Sequence, residues 1–346
     1  MTPQPFGFLP TGEAIEKYTL RNAGGASLEF ITYGGIVTAL KVPDRDGQLA
    51  DVVLGFDNLN AYVNGHPYFG AIIGRITGRV SGGQLKVADK LYQLACNQAP
   101  NHLHGGKVGF DKRVWDAEPV TRPDGADSVR LTYHSPDGEE GYPGNLDIAI
   151  TYTLTAKNEF IIESDATSDQ VTPLSLANHS YFNLAGEGTG SVAEHIVQIM
   201  AEEFVGMDND MTLSDRRDPV ADTPSDFRTA RRLGDALPHM HKSHGENYLL
   251  RSNASEKPTL IARVTEPDSG RVLEVLTNDT CLQFYSGVSL DGTLTGKSGQ
   301  PYNQHGALCL ECQGYPNGSS RPELGDILVH PGTPQRRTTI YAFSTQ

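Results

Sequence analysis

Two short stretches carry residues that could move protons. Asn178-His179-Ser180-Tyr181-Phe182-Asn183-Leu184-Ala185-Gly186 sets an imidazole among amides, hydroxyls and aromatic rings, directly before a glycine. Far downstream, Cys309-Leu310-Glu311-Cys312-Gln313-Gly314-Tyr315-Pro316-Asn317 carries a carboxylate in the middle of an apolar run. In an extended chain Glu311 shares a face with Cys309 and Gln313, while Leu308 and Leu310 take the other. A carboxylate on a core strand is costly unless it is paired or lines a cavity. A lone histidine is more often a hydrogen-bonded structural residue than a catalyst. Together, His179 and Glu311 fit general acid–base chemistry, in which one group removes a proton and the other supplies one.

Three further clusters have residue types suited to binding. Gly74-Arg75-Ile76-Thr77-Gly78-Arg79 puts two guanidiniums around a small-residue turn, where glycine lets a ligand approach and arginine offers a planar fork of donors. Read alone, it is a turn with surface arginines. In Asn101-His102-Leu103-His104-Gly105-Gly106 an extended backbone would point His102 and His104 to one side, an arrangement used in some metal sites. A metal would need a third ligand, and His239, His241 and His244 are the candidates, in a segment that reads more simply as a solvated loop. Cys309 and Cys312 form a C-x-x-C, yet on a strand they face opposite ways and no second such pair exists to complete a zinc site. No metal is expected.

The elements that must position these residues are strands. Leu146, Ile148, Ile150, Tyr152 and Leu154 share one face, while Asp147, Thr151, Thr153 and Thr155 share the other. Glu159–Ser164 follows as the second arm of a hairpin. Further strands are expected at Ser27–Tyr33, Gln84–Val87 with Leu91–Leu94 around Ala88-Asp89-Lys90, Val129–Tyr133, Arg271–Leu276, Leu282–Tyr285, Ala307–Gln313 and Thr338–Phe343. Short helical turns are expected near Asp57–Val63 and Phe227–Leu237. The 37 glycines and 21 prolines punctuate the whole length, and long amphipathic patterns are missing, so the fold is expected to be an all-β sandwich or barrel. No repeat, linker or composition shift divides the 346 residues, which favours one domain over residues 1–346.

The balance of 42 acidic against 28 basic residues, a formal charge of −14, argues against nucleic acid or an anionic membrane as partner. No run of about 18 apolar residues suggests a membrane helix. The first residues lack a basic region followed by an apolar one, so the cytoplasm is the expected compartment, or the periplasm had a signal peptide been trimmed. Four cysteines do not make a disulfide scaffold in a chain this long.

Taken in order, several stretches resemble the aldose 1-epimerase (galactose mutarotase) family. They are Gly74-Arg75 with Gly78-Arg79; Asn101, then Leu103-His104-Gly105-Gly106-Lys107 with Gly109-Phe110-Asp111-Lys112; Ser135 to Gly144; Asn178 to Gly186; Gln283-Phe284-Tyr285 with Leu290-Asp291-Gly292-Thr293; and Leu310-Glu311 with Gln313. The resemblance implies a large antiparallel supersandwich with few short helices, an open sugar cleft, no cofactor, and a monomer or homodimer acting on a small sugar. It implies that Glu311 is the general base on the C1 hydroxyl and His179 the acid on the ring oxygen. Arg79, His104, Tyr181 and Gln283 would hold the sugar. Reference pKa values of about 4.3 for Glu and about 6.5 for His would leave an ionised base and a partly protonated acid near neutrality.

Departures from the pattern bear on which sugar is preferred. Gly78 stands where family members commonly have Asn, and Gly245 where an Asp usually binds a hydroxyl; Gly314-Tyr315 replaces a frequent Asn-Trp. Glu246 is adjacent to Gly245 and is a candidate substitute, although a one-residue offset on a strand turns a side chain to the other face. The expectation is a mutarotase whose preferred sugar is not simply galactose or glucose. Three alternatives remain at this stage. One is a hexose-phosphate epimerase using Arg216-Arg217, Arg231-Arg232 or Arg336-Arg337. Another is a glycoside-cleaving enzyme pairing Glu311 with Asp137, Glu139 or Glu140. The third is a sugar-binding module without turnover.

Overall fold

Alternation of apolar and polar residues converts the described residues into three large antiparallel sheets that share one core, with four two-stranded sheets beside them. The computed structural model describes residues 2–208, 211–240, 245–250 and 257–346. Nine strands form the largest sheet, in the spatial order Asp116–Thr121, Asp127–Ser135, Leu146–Leu154, Glu159–Ser168, Gln335–Thr345, Arg271–Thr277, Thr259–Thr265, Ile196–Ile199 and Arg231–Arg232. A six-stranded sheet runs Tyr181–Phe182, Leu308–Gln313, Cys281–Tyr285, Glu246–Leu249, Glu203–Met207 and Leu213–Pro219. The first five strands, from Gln4–Phe8 to Leu49–Asp51, make a third sheet in sequence order.

The inward face of each sheet is apolar at every second residue. Ile148, Ile150 and Tyr152 of the nine-stranded sheet meet Leu28, Phe30 and Leu40 of the five-stranded sheet, and Leu282, Phe284, Leu308, Leu310 and Cys312 of the six-stranded sheet, in one buried cluster. Burying a side chain of this size stabilises by roughly 1.5–3 kcal/mol. The all-β sandwich expected from the sequence is therefore the observed architecture.

Strand ends differ from expectation by a few residues. The last strand is longer, Gln335–Thr345, because it pairs on both sides, with Glu159–Ser168 and Arg271–Thr277. The 84–94 hairpin closes one residue sooner than expected, since Ala88 at φ 51° permits a two-residue turn and Lys90 already pairs with Val87. Leu59–Val63 is an α-helix whose N-terminus is capped by the Asn58 side chain accepting from the Ala61 N–H at 3.0 Å. Of the turn expected at Phe227–Leu237, only Leu233–Asp235 is helical, because Arg231 and Arg232 are drawn into pairing with Val197 and Ile196. No helix among the described residues is long and apolar enough to cross a membrane.

The opposite, outward face of the six-stranded sheet positions the site. Because Leu308, Leu310 and Cys312 point into the core, Cys309, Glu311 and Gln313 point away from it. Register then carries a row across the strands, with Glu311 opposite Gln283 and Gln283 opposite Asn247.

Candidate active site

A cleft of about 280 Å³ lies over this row, lined by residues including Tyr68, Gly78, Arg79, Gln98, His104, His179, Tyr181, Gln283, Tyr285, Glu311 and Gln313. His179 reaches it from the turn between Ala177–Asn178 and Tyr181–Phe182. Its N–H donates to the Ala71 carbonyl and its own carbonyl accepts from the Gly70 N–H, both at 2.9 Å, so the backbone is pinned on two sides. The neighbouring strand Tyr181–Phe182 pairs with Cys309 and Leu308, which brings the imidazole beside the Glu311 strand. Nε2 of His179 lies 3.6 Å from Oε1 of Glu311, with both side chains almost wholly buried.

The second carboxylate oxygen of Glu311, Oε2, has no hydrogen-bond partner among the described residues. Burial pushes the Glu311 carboxyl up to about 8, with the Arg79 guanidinium opposing the rise. Burial pushes the His179 imidazole down to about 4. The ionised base and partly protonated acid expected from reference values are thus corrected: burial favours the neutral form of each group. Near neutrality the pair holds one proton and no net charge, in a site where isolated charges are disfavoured. Shifting that proton from carboxyl to imidazole yields the base and acid of the expected reaction without changing the count.

Around His179 the rings are ordered. Tyr181 stacks on one face at 5.1 Å and 17°, and Tyr68 stacks at 5.8 Å and 24°. Nδ1 meets the buried thiol of Cys309 at 3.7 Å. His104 stands edge-on to His179 at 5.4 Å. Its Nδ1 accepts from the Gly78 N–H at 3.2 Å, so the neutral ring carries its proton on Nε2. Burial first, then the charge interactions with His179 and Arg79, hold His104 well below the usual histidine range.

The two arginines of the glycine-rich turn divide their work. Arg79 lines the cleft and donates from Nε to Gln98 Oε1 at 2.6 Å. Arg75 is a buried staple, donating to the Ser135 hydroxyl and carbonyl, the Pro143 carbonyl and the Thr172 hydroxyl. Gly78 lines the cleft at φ +86°, and a Cβ there would come 2.9 Å from Pro316 Cγ. Gln283 lies on the cleft floor, and its Oε1 accepts from the Asn247 amide at 3.1 Å.

Several expectations are corrected. Glu246 does not face the cleft: it pairs with Phe284, on the core-directed side of the strand, and its carboxylate accepts from the Ser225 hydroxyl at 2.8 Å. Asn247 takes the cleft-directed position instead, as the period of two requires. Gly245 is at φ +72°, and a Cβ there would lie 1.9 Å from the Phe284 carbonyl oxygen, so this backbone excludes any side chain. Tyr315, two residues beyond Gln313, is fully buried and does not line the cleft, donating to the Ser214 carbonyl at 3.2 Å; Tyr68, Tyr181 and Tyr285 are the aromatic lining.

His102 and His104 do not share a side. His104 has φ 49°, which breaks the extended alternation, and His102 turns into the protein between the Ala95 carbonyl at 2.7 Å and the Tyr142 hydroxyl at 2.6 Å. His239 is exposed, and His241 and His244 lie outside the described residues. A different set, His104, His179 and Glu311, has ligand atoms within 4.8 Å of one another. Two imidazoles and a carboxylate are donors that a transition-metal ion accepts, although the Arg79 guanidinium in the same cleft opposes a second cation.

The arginine pairs offered for a phosphate are engaged elsewhere. Arg216 pairs with Asp218, Arg217 with Glu203, Arg232 with Glu194 and Asp235, Arg336 with Asp165 and Arg337 with Asp279, while Arg231 lies over the Phe227 ring. The acidic turn is also self-contained. Asp137 accepts from the Gly144 N–H, Glu139 pairs with Arg113 and Tyr133, and Glu140 accepts from the Lys107 and Val108 N–H groups. Tyr68, Gln98, Tyr285 and Asn247 were not singled out from sequence. Of these, Asn247 was findable by counting two-residue steps from the strand register.

A family model described as Aldose 1-epimerase matches residues 16–342. The chain is 41% identical over 345 residues to the galactose mutarotase of Rattus norvegicus, covering 99% of this chain and 98% of that one. It is 34% identical over 321 residues to the aldose 1-epimerase of Haemophilus influenzae, covering 91% of each. Among solved structures, an aldose epimerase homologue from C. elegans superposes with a TM-score of 0.86 at 28% identity, over 96% of this chain and 99% of that one. This chain belongs to the aldose 1-epimerase family.

Proposed function

We propose that the protein interconverts the α and β anomers of a free aldose, with Glu311 and His179 as the proton-transfer pair. The observation that carries this reading is the 3.6 Å approach of His179 Nε2 to Glu311 Oε1 beneath an open cleft, with Oε2 of Glu311 left unpartnered among the described residues. In a cyclic hemiacetal the hydroxyl oxygen and the ring oxygen are bonded to the same carbon, C1. Two groups that exchange protons with them must therefore be neighbours.

In this reading the C1 hydroxyl donates to the free oxygen of Glu311. That hydrogen bond and Arg79 both favour the carboxylate, so the proton held by the pair moves to His179. The carboxylate then takes the C1 hydroxyl proton as the imidazolium protonates the ring oxygen, the C1–O5 bond breaks, and an open-chain aldehyde forms. Rotation about C1–C2 presents the other carbonyl face, and the reverse transfers close the ring. Each aligned group contributes on the order of 10²–10⁴-fold. The Nε2–H of His104 is directed as a fixed donor to a sugar oxygen, and Arg79, Tyr181, Gln283 and Gly78 line the cleft around the ring.

The sugar-binding partner is a small neutral aldose. The backbone at Gly245 and the inward turn of Glu246 leave Gln283, held by the Asn247 amide, as the polar group on that side of the floor, which supports a preference other than simply galactose or glucose. Proton NMR of fresh single anomers of a panel of aldoses tests both points. Exchange above the spontaneous rate supports the activity, and spontaneous rates across the whole panel would overturn it.

A further inference from the structure

The floor of the cleft holds more unpaired acceptors than the proton-transfer pair uses. Glu311 Oε2 and Gln313 Oε1 are buried, belong to residues that line the cleft, and have no hydrogen-bond partner among the described residues. An unpaired buried acceptor costs roughly 1–3 kcal/mol, so a ligand bringing O–H donors to these positions relieves it. Gln313 is the sharpest case. It is 1% exposed, it lines the cleft, and it lies on the same face of Leu308–Gln313 as Glu311, one strand repeat away.

Among the described residues nothing hydrogen-bonds to that amide oxygen. The residue paired with Gln313 is Cys281, whose thiol is buried in a separate apolar cluster. Gly78 lies beside it: a Cβ there would come 3.9 Å from Gln313 Nε2 and 2.9 Å from Pro316 Cγ, so the glycine keeps this corner of the cleft free of a side chain. Neighbouring same-face residues on a strand are separated by about 6.8 Å, comparable to the span from the C1 oxygen of a pyranose to the hydroxyls on the far side of the ring.

We infer that Gln313 is a specificity-determining residue that accepts a hydrogen bond from the C3 or C4 hydroxyl of the aldose while Glu311 acts at C1. The inference rests on the anomer-exchange reading and deepens it. It assigns the substrate class as aldopyranoses bearing a free hydroxyl on the side of the ring opposite C1.

The experiment is an analogue-by-variant matrix. The kcat/KM for anomer exchange is measured by NMR for an accepted aldose and its 2-, 3-, 4- and 6-deoxy analogues, with wild type, Gln313→Leu and Gln313→Met. All five sugars keep the hemiacetal that reacts. Wild type is expected to discriminate against either the 3-deoxy or the 4-deoxy analogue by roughly 5- to 150-fold. Each variant is expected to lose a similar factor on the parent sugar and nothing on that same analogue. An equal loss across all five sugars would make Gln313 merely structural and overturn the inference. Parental kcat/KM for both the 3- and 4-deoxy analogues with wild type alone would overturn it whether or not the variants fold. Wild type inactive on every sugar would instead defeat the activity reading, which is a distinct result.

Discussion

The Gly78 N–H donates to Nδ1 of His104 at 3.2 Å, which fixes the proton of that neutral ring on Nε2. His104 is therefore built as a donor whose charge does not change in the working pH range, since burial and charge interactions keep it neutral. His104→Gln retains an N–H donor and is expected to lose less activity than His104→Leu. The Leu variant is expected to fall by roughly 5- to 150-fold in kcat/KM. The pH limits of the Gln variant are expected to match wild type, and a moved limit would show that His104 titrates in the reaction.

The proposed proton-transfer pair should set those limits. Below about 4 both His179 and Glu311 are protonated and no base remains, while above about 8 both are deprotonated and no acid remains. A bell-shaped kcat/KM profile with limbs near these values is expected, each belonging to the pair rather than to one residue. A flat profile between pH 4 and 9 would contradict this assignment.

Stability should depend on pH through the same carboxyl. Its folded value is raised to about 8, so the folded state binds more protons than the unfolded state between the ordinary Glu range and about 8. Wild-type stability from this group is full at low pH and is lost as pH rises through that window. Glu311→Gln has no such group, so its advantage over wild type is expected to grow from pH 5 to pH 8, by on the order of a few kcal/mol. Denaturant titrations at the two pH values measure it. A constant difference would contradict the raised carboxyl.

Tyr68 and Tyr181 both stack against the His179 ring. Aromatic faces stabilise a cation by about 0.5–2 kcal/mol, more when water is excluded. Tyr68→Phe is expected to stay close to wild type. Tyr68→Leu is expected to lower kcat by roughly 2- to 30-fold, because the imidazolium becomes harder to form. Equal losses in both variants would assign the effect to the hydroxyl.

Much of this architecture is legible in the amino-acid sequence. The alternation in Leu146–Leu154 identified a strand, and the same logic turned Glu311 outward beside Cys309 and Gln313, as observed. What failed was whatever depended on a local break in alternation or on a register between distant strands. His102 and His104 diverge because His104 takes a left-handed backbone, which no residue type there announces. Glu246 points inward because its partner is Phe284 rather than Gln283, a fact set by pairing across 38 positions of chain. Tyr68 reaches the site through the backbone bonds from Gly70 and Ala71 to His179, a long-range contact with no motif. The reference pKa values misled because they describe solvated groups, and burial moves the acid and the base in opposite directions.

The central claim is that His179 and Glu311 exchange protons with one sugar carbon's two oxygens. It is tested most directly by NMR exchange spectroscopy of an accepted aldose with Glu311→Gln and His179→Asn, with folding checked by circular dichroism. Each folded variant is expected to lose about 10²-fold or more in kcat. A wild-type rate in either folded variant would contradict the claim and remove that residue from the reaction.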